Sequence, residues 1–292
     1  MIKGLIKSLR PLQWSKNAFI FAGLLFSQNL FHLSYLLKSI AAFFLFSFVS
    51  GATYIINDIR DLEEDRIHPK KRFRPIASGR LKVSFALPFA IFLILVSLIL
   101  AFLLNWDFFL VISLYLILTL SYSFFLKEIV ILDLLAIAFG FVLRAWAGTV
   151  VIGVSLSVWL FICTILLALF LGITKRKTEI ALLGDSAPNH RSVLSHYSHN
   201  FLDQMTSVVT AATVVSYAIY TVAPETVAKF GTNKLFLTIP FVLYGIFRYL
   251  YLIYHAEFME NPEWALIKDL SLTIAILLWI ISVVLILYLK WS

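Results

Sequence analysis

Nine continuous apolar runs, each about twenty residues long, determine what this chain can fold into. A run of this length crosses the hydrocarbon core of a bilayer as a helix, whereas the strands of a membrane barrel would alternate polar and apolar residues. A mean hydropathy of +0.93 over 292 residues supports this interpretation. The sequence therefore predicts an all-α, polytopic membrane protein with about nine transmembrane helices. We place them at about 17–33, 36–56, 84–104, 108–126, 131–152, 156–174, 202–222, 235–254 and 269–289.

The positive charges are unevenly distributed between the two sides of these runs. The N-terminus and the connections after even-numbered runs hold 18 of the 24 lysines and arginines. Because positive charge accumulates in cytoplasmic loops, the N-terminus and the loops 57–83 and 175–201 are expected to face the cytoplasm at the cell membrane. This topology accounts for most of the net charge of +8 and gives no reason to invoke a nucleic-acid partner. We expect one membrane domain spanning residues 1–292.

An acidic stripe follows the second run. Asn57, Asp61 and Asp65 are spaced four residues apart, and Asp58 lies three residues before Asp61. If the second helix continues past the membrane edge, these oxygens share one face. Hard oxygen ligands that leave room for phosphate and water are what Mg²⁺ prefers. The stripe predicts a magnesium site, and the alternative is an ordinary solvated helix end.

A dense group of cations follows the stripe. Pro69 and Pro75 restrict the backbone there, so the cations between them are held in place. Guanidinium groups can grip phosphate with two hydrogen bonds, whereas ammonium groups act as point charges. The alternative is the positive charge expected of any cytoplasmic loop. The predicted phosphate-binding residues are Arg66, Lys70, Arg72 and Arg74.

The second cytoplasmic loop begins with another charged group. Lys175, Arg176 and Glu179 lie where the sixth run reaches the cytoplasm, and Asp185 follows. A surface ion pair between Lys175 and Glu179 is the modest interpretation. The functional interpretation is phosphate binding by the two cations, with Glu179 as a further substrate-binding residue.

Polar residues within or beside the membrane provide further candidates. Arg144 lies about 20 Å into the fifth run, where a charge is costly and usually lines a polar cavity. The alternative is an arginine that caps backbone carbonyls between tightly packed helices. Lys16 and Asn17 open the first run and Tyr122 closes the fourth, either as substrate-binding residues or as anchors at the interface.

The chain resembles the UbiA superfamily of intramembrane prenyltransferases, through its nine runs and the motif Asn-Asp-x-x-Asp-x-x-x-Asp at residues 57–65. Four further segments resemble its decaprenyl-phosphate phosphoribosyltransferase branch. That branch transfers phosphoribose from 5-phosphoribosyl 1-diphosphate to a polyprenyl phosphate and releases diphosphate. The resemblance implies a Mg²⁺-dependent enzyme with a UbiA-type helical bundle and cytoplasmic active-site loops. The four segments are residues 10–17, 68–79, 175–179 and 261–263.

The chain departs from ordinary UbiA prenyltransferases in its second motif. Those enzymes have two acidic motifs that hold magnesium to a diphosphate, whereas here the second loop opens with Lys175, Arg176 and Lys177. Two phosphorylated substrates bring more negative charge than a prenyl diphosphate and an aromatic acceptor, so basic residues suit them better. The resemblance implies that Asp58 and Asp61 act through magnesium, and that Lys175 and Arg176 bind phosphate.

Two other functions remain open from the sequence. An aromatic prenyltransferase of the quinone or haem pathway would share the fold and the metal, and the missing second acidic motif argues against it. A transporter would explain the spans and Arg144. It would not explain a carboxylate stripe outside the membrane core.

Overall fold

The computed structural model describes residues 2–68, 70–183, 192–255 and 265–289, and within these residues every regular element is a helix. The backbone of a membrane span must satisfy its own hydrogen bonds, which these apolar sequences do as helices. Eight of the described helical segments are long and apolar enough to cross a membrane, counting Ile239–Tyr254 together with the 3-10 helix Lys234–Thr238 before it. The α-helices are α1 (Ile2–Ser8), α2 (Ile20–Phe26), α3 (Leu33–Arg60), α4 (Leu62–Ile67), α5 (Val83–Leu104), α6 (Trp106–Phe124), α7 (Leu132–Val150), α8 (Val158–Leu183), α9 (His199–Val222), α10 (Pro224–Phe230), α11 (Ile239–Tyr254), α12 (Ala265–Lys268) and α13 (Leu270–Tyr288).

The predicted all-α, multi-pass architecture is confirmed, and eight of the nine predicted spans coincide with the long helices. Helices α3 and α8 run past the predicted ends of their spans. Both extensions carry charged motifs. Residues 57–60 and 175–183 therefore lie on helices, whereas the sequence predicts loops there. Polar side chains begin several helices: Asn105, Ser198 and Asp269 each accept a hydrogen bond from the backbone N–H group three residues on.

The first predicted span differs from the rest. A 3-10 helix covers Pro11–Phe19 and the short helix α2 follows it. Seven α-helical residues rise only about 10 Å, so α2 cannot cross a bilayer alone. Gln28 has a φ of 59°, in the left-handed region, and ends this segment. The apolar composition of the run does not reveal this break.

The chain divides into two compact units. The first comprises Met1–Lys127 and Phe139–Leu156, and the second comprises Glu128–Ala138 and Ser157–Ser292. Helix α7 therefore contributes its first two turns to the second unit. The expectation of a single domain over residues 1–292 stays a prediction.

The first unit has two apolar clusters. One joins α2, α3, α6 and α7 through buried side chains that include Phe46, Phe108 and Ile112. The other joins α1, α3 and α5 around Leu5, Ile55 and Ala86. Helix α3 contributes to both clusters. Its polar C-terminal extension is therefore anchored by packing on two sides, and this fixes the direction of its polar end.

The second unit also has two apolar clusters. Leu134 of α7 packs with Ile173 of α8 and Leu202 of α9. Phe170 of α8 packs with Ile246 of α11 and other residues of α11 and α13. Helix α8 contributes side chains to both clusters. Its charged end therefore extends from a helix that packing holds in place. Many large apolar side chains elsewhere are exposed, as expected for helices that face lipid.

Candidate active site

The acidic stripe predicted from the sequence is continuous in space. Helix α3 ends at Arg60, and α4 begins two residues later. The backbone nevertheless keeps helical hydrogen bonds across this junction, from Asp61 N to Asn57 O at 2.9 Å and from Asp65 N to Asp61 O at 2.8 Å. The four oxygen-bearing side chains therefore stay at helical spacing, as expected if α3 continued past the membrane edge.

Two carboxylates of the stripe are buried together. Asp58 and Asp65 are 2% and 1% exposed. One nitrogen of Arg74, Nη1, donates to both, to Asp58 Oδ1 at 3.1 Å and to Asp65 Oδ2 at 2.6 Å. Arg10 Nη2 donates to the same Asp58 oxygen. Buried like charges repel strongly, and these two arginines place positive charge directly against both carboxylates.

The third carboxylate has its own partners. Lys127 Nζ donates to Asp61 Oδ1 at 2.8 Å, and Asn57 Nδ2 donates to Asp61 Oδ2 at 2.9 Å. We refer to Asn57, Asp58, Asp61 and Asp65 together with Arg10, Arg74 and Lys127 as the first cluster. It holds three carboxylates against three cations within one unit of the chain.

Arg10 and Lys127 belong to the first cluster, although neither was among the predicted site residues. Arg10 is the first residue of the segment 10–17, which carries part of the family resemblance. That resemblance could have identified Arg10 as a site residue. Its φ of 50° is left-handed, and its guanidinium lies 4.7 Å from the centre of the Tyr54 ring. Lys127 lies at the end of a predicted span, where an interfacial lysine is ordinary. Sequence spacing alone does not bring it to Asp61, 66 residues away.

The donor set of the first cluster fits magnesium by chemistry, since it offers carboxylate and amide oxygens on one helical face. Within the described part of the chain, no three carboxylate, histidine or cysteine side chains converge as a metal site. The carboxylates are turned towards arginine and lysine instead.

The predicted phosphate-binding cations are divided by the structure. Arg74 lies within the first cluster. Arg66, Lys70 and Arg72 are exposed, and Arg66 pairs with Glu63 at 2.7 Å. Arg72 lies over the Phe73 ring at 4.9 Å. Pro69, invoked above as a backbone restraint, lies outside the described residues.

A second cluster lies in the other unit. Arg176 is 1% exposed, and its Nε donates to Asp133 Oδ2 at 2.9 Å. Its Nη1 donates to Glu179 Oε2 at 2.7 Å. Asp133, in the first turn of α7, is fully buried and accepts a further hydrogen bond from Tyr197. Arg176, Asp133, Glu179 and Tyr197 form the second cluster, of which only Arg176 and Glu179 were predicted.

Tyr197 stays protonated in the second cluster. Burial, together with its hydrogen bond to Asp133, raises the pKa of this phenol well above its ordinary value. The phenol therefore acts as a hydrogen-bond donor at all working pH values. Next to this cluster, Lys177 pairs with Asp203 and lies 3.3 Å from the centre of the Tyr254 ring.

Arg144 and Asn17 meet in the first unit. Arg144 Nε donates to Asn17 Oδ1 at 2.7 Å, Nη1 to Gly140 O at 2.7 Å, and Nη2 to Tyr115 OH at 2.8 Å. Arg144 is 6% exposed, between the Tyr115 and Phe141 rings. Of the two alternatives from the sequence, this geometry favours the structural arginine. Substrate binding by Arg144 and Asn17 stays a prediction.

The remaining predicted residues are described only in part. Lys16, Tyr122 and Lys175 are half-buried. Their roles stay predictions. Asp185 and the motif segment at residues 261–263 lie outside the described residues.

Sequence comparison identifies relatives along the whole chain. The pattern of the UbiA prenyltransferase family matches residues 17–263. The decaprenyl-phosphate phosphoribosyltransferase of Mycolicibacterium smegmatis is 31% identical over 291 residues, covering 96% of this chain and 91% of the relative. That of Corynebacterium glutamicum is 35% identical over 221 residues, 74% of this chain and 67% of the relative.

Solved structures share the fold. A UbiA homologue from Archaeoglobus fulgidus bound to GPP and Mg²⁺ aligns with a TM-score of 0.69 at 19% identity, over 96% of this chain and 98% of that one. A digeranylgeranylglyceryl phosphate synthase structure aligns with a TM-score of 0.68 at 21% identity, over 97% of each chain. These similarities confirm the predicted UbiA-type bundle.

Proposed function

The chain belongs to the UbiA prenyltransferase family, and we propose that it transfers phosphoribose from 5-phosphoribosyl 1-diphosphate to a polyprenyl phosphate and releases diphosphate. The observation that carries this proposal is the similarity, over 96% of the chain, to a relative named for that activity. The basic residues at the end of α8 support it, because two phosphorylated substrates need more positive charge than one prenyl diphosphate does.

The first cluster is proposed to receive the diphosphate of the donor. Asn57, Asp58, Asp61 and Asp65 would hold magnesium there, and the metal would supply neutralisation of charge on the leaving diphosphate. Arg10 and Arg74 are within the same cluster and carry guanidinium groups suited to phosphate oxygens. If magnesium were held by the carboxylates, these arginines would be available to the phosphate oxygens.

The reaction needs little acid–base chemistry. A phosphate oxygen of the lipid forms a bond to C1 of the ribose, while the bond from C1 to the diphosphate oxygen breaks and its electron pair leaves with diphosphate. The attacking oxygen is already ionised at neutral pH, so no strong general base is required. Catalysis then consists of positioning and charge stabilisation.

The other cations are assigned to the remaining phosphate groups. We propose that Lys175 and Arg176 neutralise a substrate phosphate, with Glu179 as the counter-charge of Arg176. The exposed residues Arg66, Lys70 and Arg72 would form a positive surface that attracts the phosphorylated donor. Lys16 and Tyr122 are proposed to contact substrate where their segments reach the membrane edge.

The protein is a multi-pass membrane protein. We propose that it lies in the cell membrane with its N-terminus and both charged clusters on the cytoplasmic side. The support is the concentration of 18 of 24 lysines and arginines on that side. A soluble, phosphorylated sugar donor would then be reached from the cytoplasm, and the apolar tail of the acceptor would stay in the lipid.

Diphosphate release by the purified protein tests the proposal. In detergent with magnesium, it should release diphosphate from 5-phosphoribosyl 1-diphosphate only when polyprenyl phosphate is added. It should leave a prenyl diphosphate offered with an aromatic acid unchanged. Prenylation of the aromatic acid, with the ribosyl donor left intact, would replace the proposal by an aromatic prenyltransferase activity.

A further inference from the structure

The hydroxyl group of Tyr197 connects two parts of the second cluster. It donates to Asp133 Oδ1 at 2.7 Å and accepts from the backbone N–H of Ile131 at 2.8 Å. The side chain is 4% exposed and packs among Leu194 and Leu202. Because the ring is fixed by packing and the hydroxyl is bonded on both sides, Tyr197 has a single defined orientation.

The Ile131 contact fixes the start of α7. Ile131 has a φ of 70°, in the left-handed region that a β-branched residue rarely adopts. Such a conformation persists only where the surroundings hold it in place. The bond from Ile131 N–H to the Tyr197 hydroxyl is one such restraint, and Asp133 lies two residues further on. Tyr197 therefore fixes both the turn that carries Asp133 and one oxygen of its carboxylate.

Asp133 in turn orients Arg176 through its Nε edge. Among the described residues, two carboxylates that accept hydrogen bonds from this arginine differ in burial: Asp133, at Nε, is fully buried, whereas the Glu179 side chain, at Nη1, is 30% exposed. The buried partner cannot leave without uncovering a charge in the protein interior. The exposed partner can turn into solvent and give its place to another anion. The Nε edge is thus the anchored one, and Nη1 is the edge that can exchange ligands.

We propose that Tyr197 is a positioning residue: acting through Asp133, it orients the guanidinium of Arg176 so that Nη1 can bind a phosphate group of the substrate in place of Glu179. This inference rests on the proposed function for the role of Arg176. It adds a residue from the chain that follows α8, and neither spacing nor charge pattern marks that residue in the sequence.

A double-mutant cycle tests whether Tyr197 acts through Arg176. Tyr197→Phe removes only the hydroxyl, and Arg176→Lys keeps the charge but loses the anchored Nε. Each change should lower kcat/KM about 10- to 100-fold, as expected when a charged hydrogen-bonded contact is lost. The double variant should be no worse than Arg176→Lys alone, because both changes disrupt the same interaction. Asp133→Asn, which keeps shape but removes charge, should show the same non-additivity with Arg176→Lys.

Tyr217 provides a matched control. Its hydroxyl is also buried and also has two partners, Thr238 at 2.7 Å and Trp279 at 2.7 Å, and it lies in the same unit of the chain. Tyr217→Phe should lower the temperature of thermal inactivation about as much as Tyr197→Phe does. It should leave kcat/KM within about twofold of the wild type, since it does not contact the second cluster.

The outcomes separate this inference from the proposed function. If Tyr197→Phe is as active as Tyr217→Phe, or if its effect multiplies with that of Arg176→Lys, the positioning role is wrong. Failure of the proposed function is seen in the wild-type protein, as transfer from a prenyl diphosphate instead of the ribosyl donor. The cycle is then measured on that reaction, and additivity decides the role of Tyr197 by the same criterion.

Discussion

Replacement of Arg144 by methionine should cost stability more than substrate affinity. The guanidinium donates to Asn17, Gly140 and Tyr115, and within the described residues no carboxylate accepts from it. All three acceptors are neutral groups inside the first unit. Through these hydrogen bonds, Arg144 of α7 connects Asn17 with Tyr115 of α6. Arg144→Met keeps much of the side-chain length while it removes all three donated bonds.

The expected cost follows from the groups left behind. Asn17 Oδ1 and the Tyr115 hydroxyl would each lose a donor, and both residues are at most 2% exposed. An unsatisfied buried acceptor costs about 1–3 kcal/mol, which gives about 2–6 kcal/mol for the pair. Removal of a buried charge offsets part of this cost. We expect a net destabilisation of about 2–4 kcal/mol.

Thermal inactivation and steady-state kinetics measure the two effects separately. Arg144→Met should inactivate at a lower temperature, with the KM of both substrates within about twofold of the wild type at temperatures where it stays folded. Asn17→Asp is the matched control, because it places a negative charge 2.7 Å from Arg144 Nε without changing shape. A phosphate-binding Arg144 would be neutralised by that change. A tenfold or greater rise in KM for Asn17→Asp would refute the structural role and support the substrate-binding prediction.

Three further predictions concern the metal, the packing and the topology. Asp61→Asn should abolish turnover at ordinary magnesium concentrations without unfolding the protein, and full activity of this variant in excess chelator would contradict the metal site. Gly148→Ala should destabilise by about 1–3 kcal/mol, because its Cβ would lie 1.9 Å from Ile20 O. Gly245→Ala, whose nearest contact is 3.8 Å away, is the control and should be neutral or stabilising in a melting experiment. In a Cys163→Ser background, an impermeant thiol reagent added outside intact cells should label Asn233→Cys but not Ser78→Cys, and the reverse pattern would refute the topology.

Most of the fold could be predicted from the sequence because lipid leaves a span few alternatives to a helix. The long helices from α3 onward follow the apolar runs, since hydropathy and backbone satisfaction point to the same structure. The segment at residues 11–26 is the exception, because it is apolar and yet does not form one long helix. Its 3-10 helix and the left-handed Gln28 depend on tertiary packing, such as the contact of Gly23 with Gly148, where a Cβ would lie 2.7 Å from the carbonyl. Hydropathy contains no information about that contact.

The site was predictable to the extent that its residues are close in sequence. Helical spacing placed Asp58, Asp61 and Asp65 together, and the structure confirms that stripe. Helical spacing did not predict the partners from elsewhere in the chain, such as Arg10 and Lys127. Those contacts join positions 48 and 66 residues apart. No periodicity links such positions, and chain topology alone brings them together.

Charge balance explains why such distant partners are present. Each carboxylate of the first cluster lies against a cation, so the cluster is close to neutral before any substrate binds. A cluster of buried carboxylates without those cations would favour protonation, and would then be a poor ligand for a metal. The same cations would repel a divalent ion arriving alone. A divalent ion bound to a diphosphate would not meet this repulsion, because the phosphate oxygens would pair with the arginines and the carboxylates would hold the ion. Under the proposed function, the first cluster would therefore exchange partners, and its paired acidic and basic side chains support that function as much as the acidic motif does.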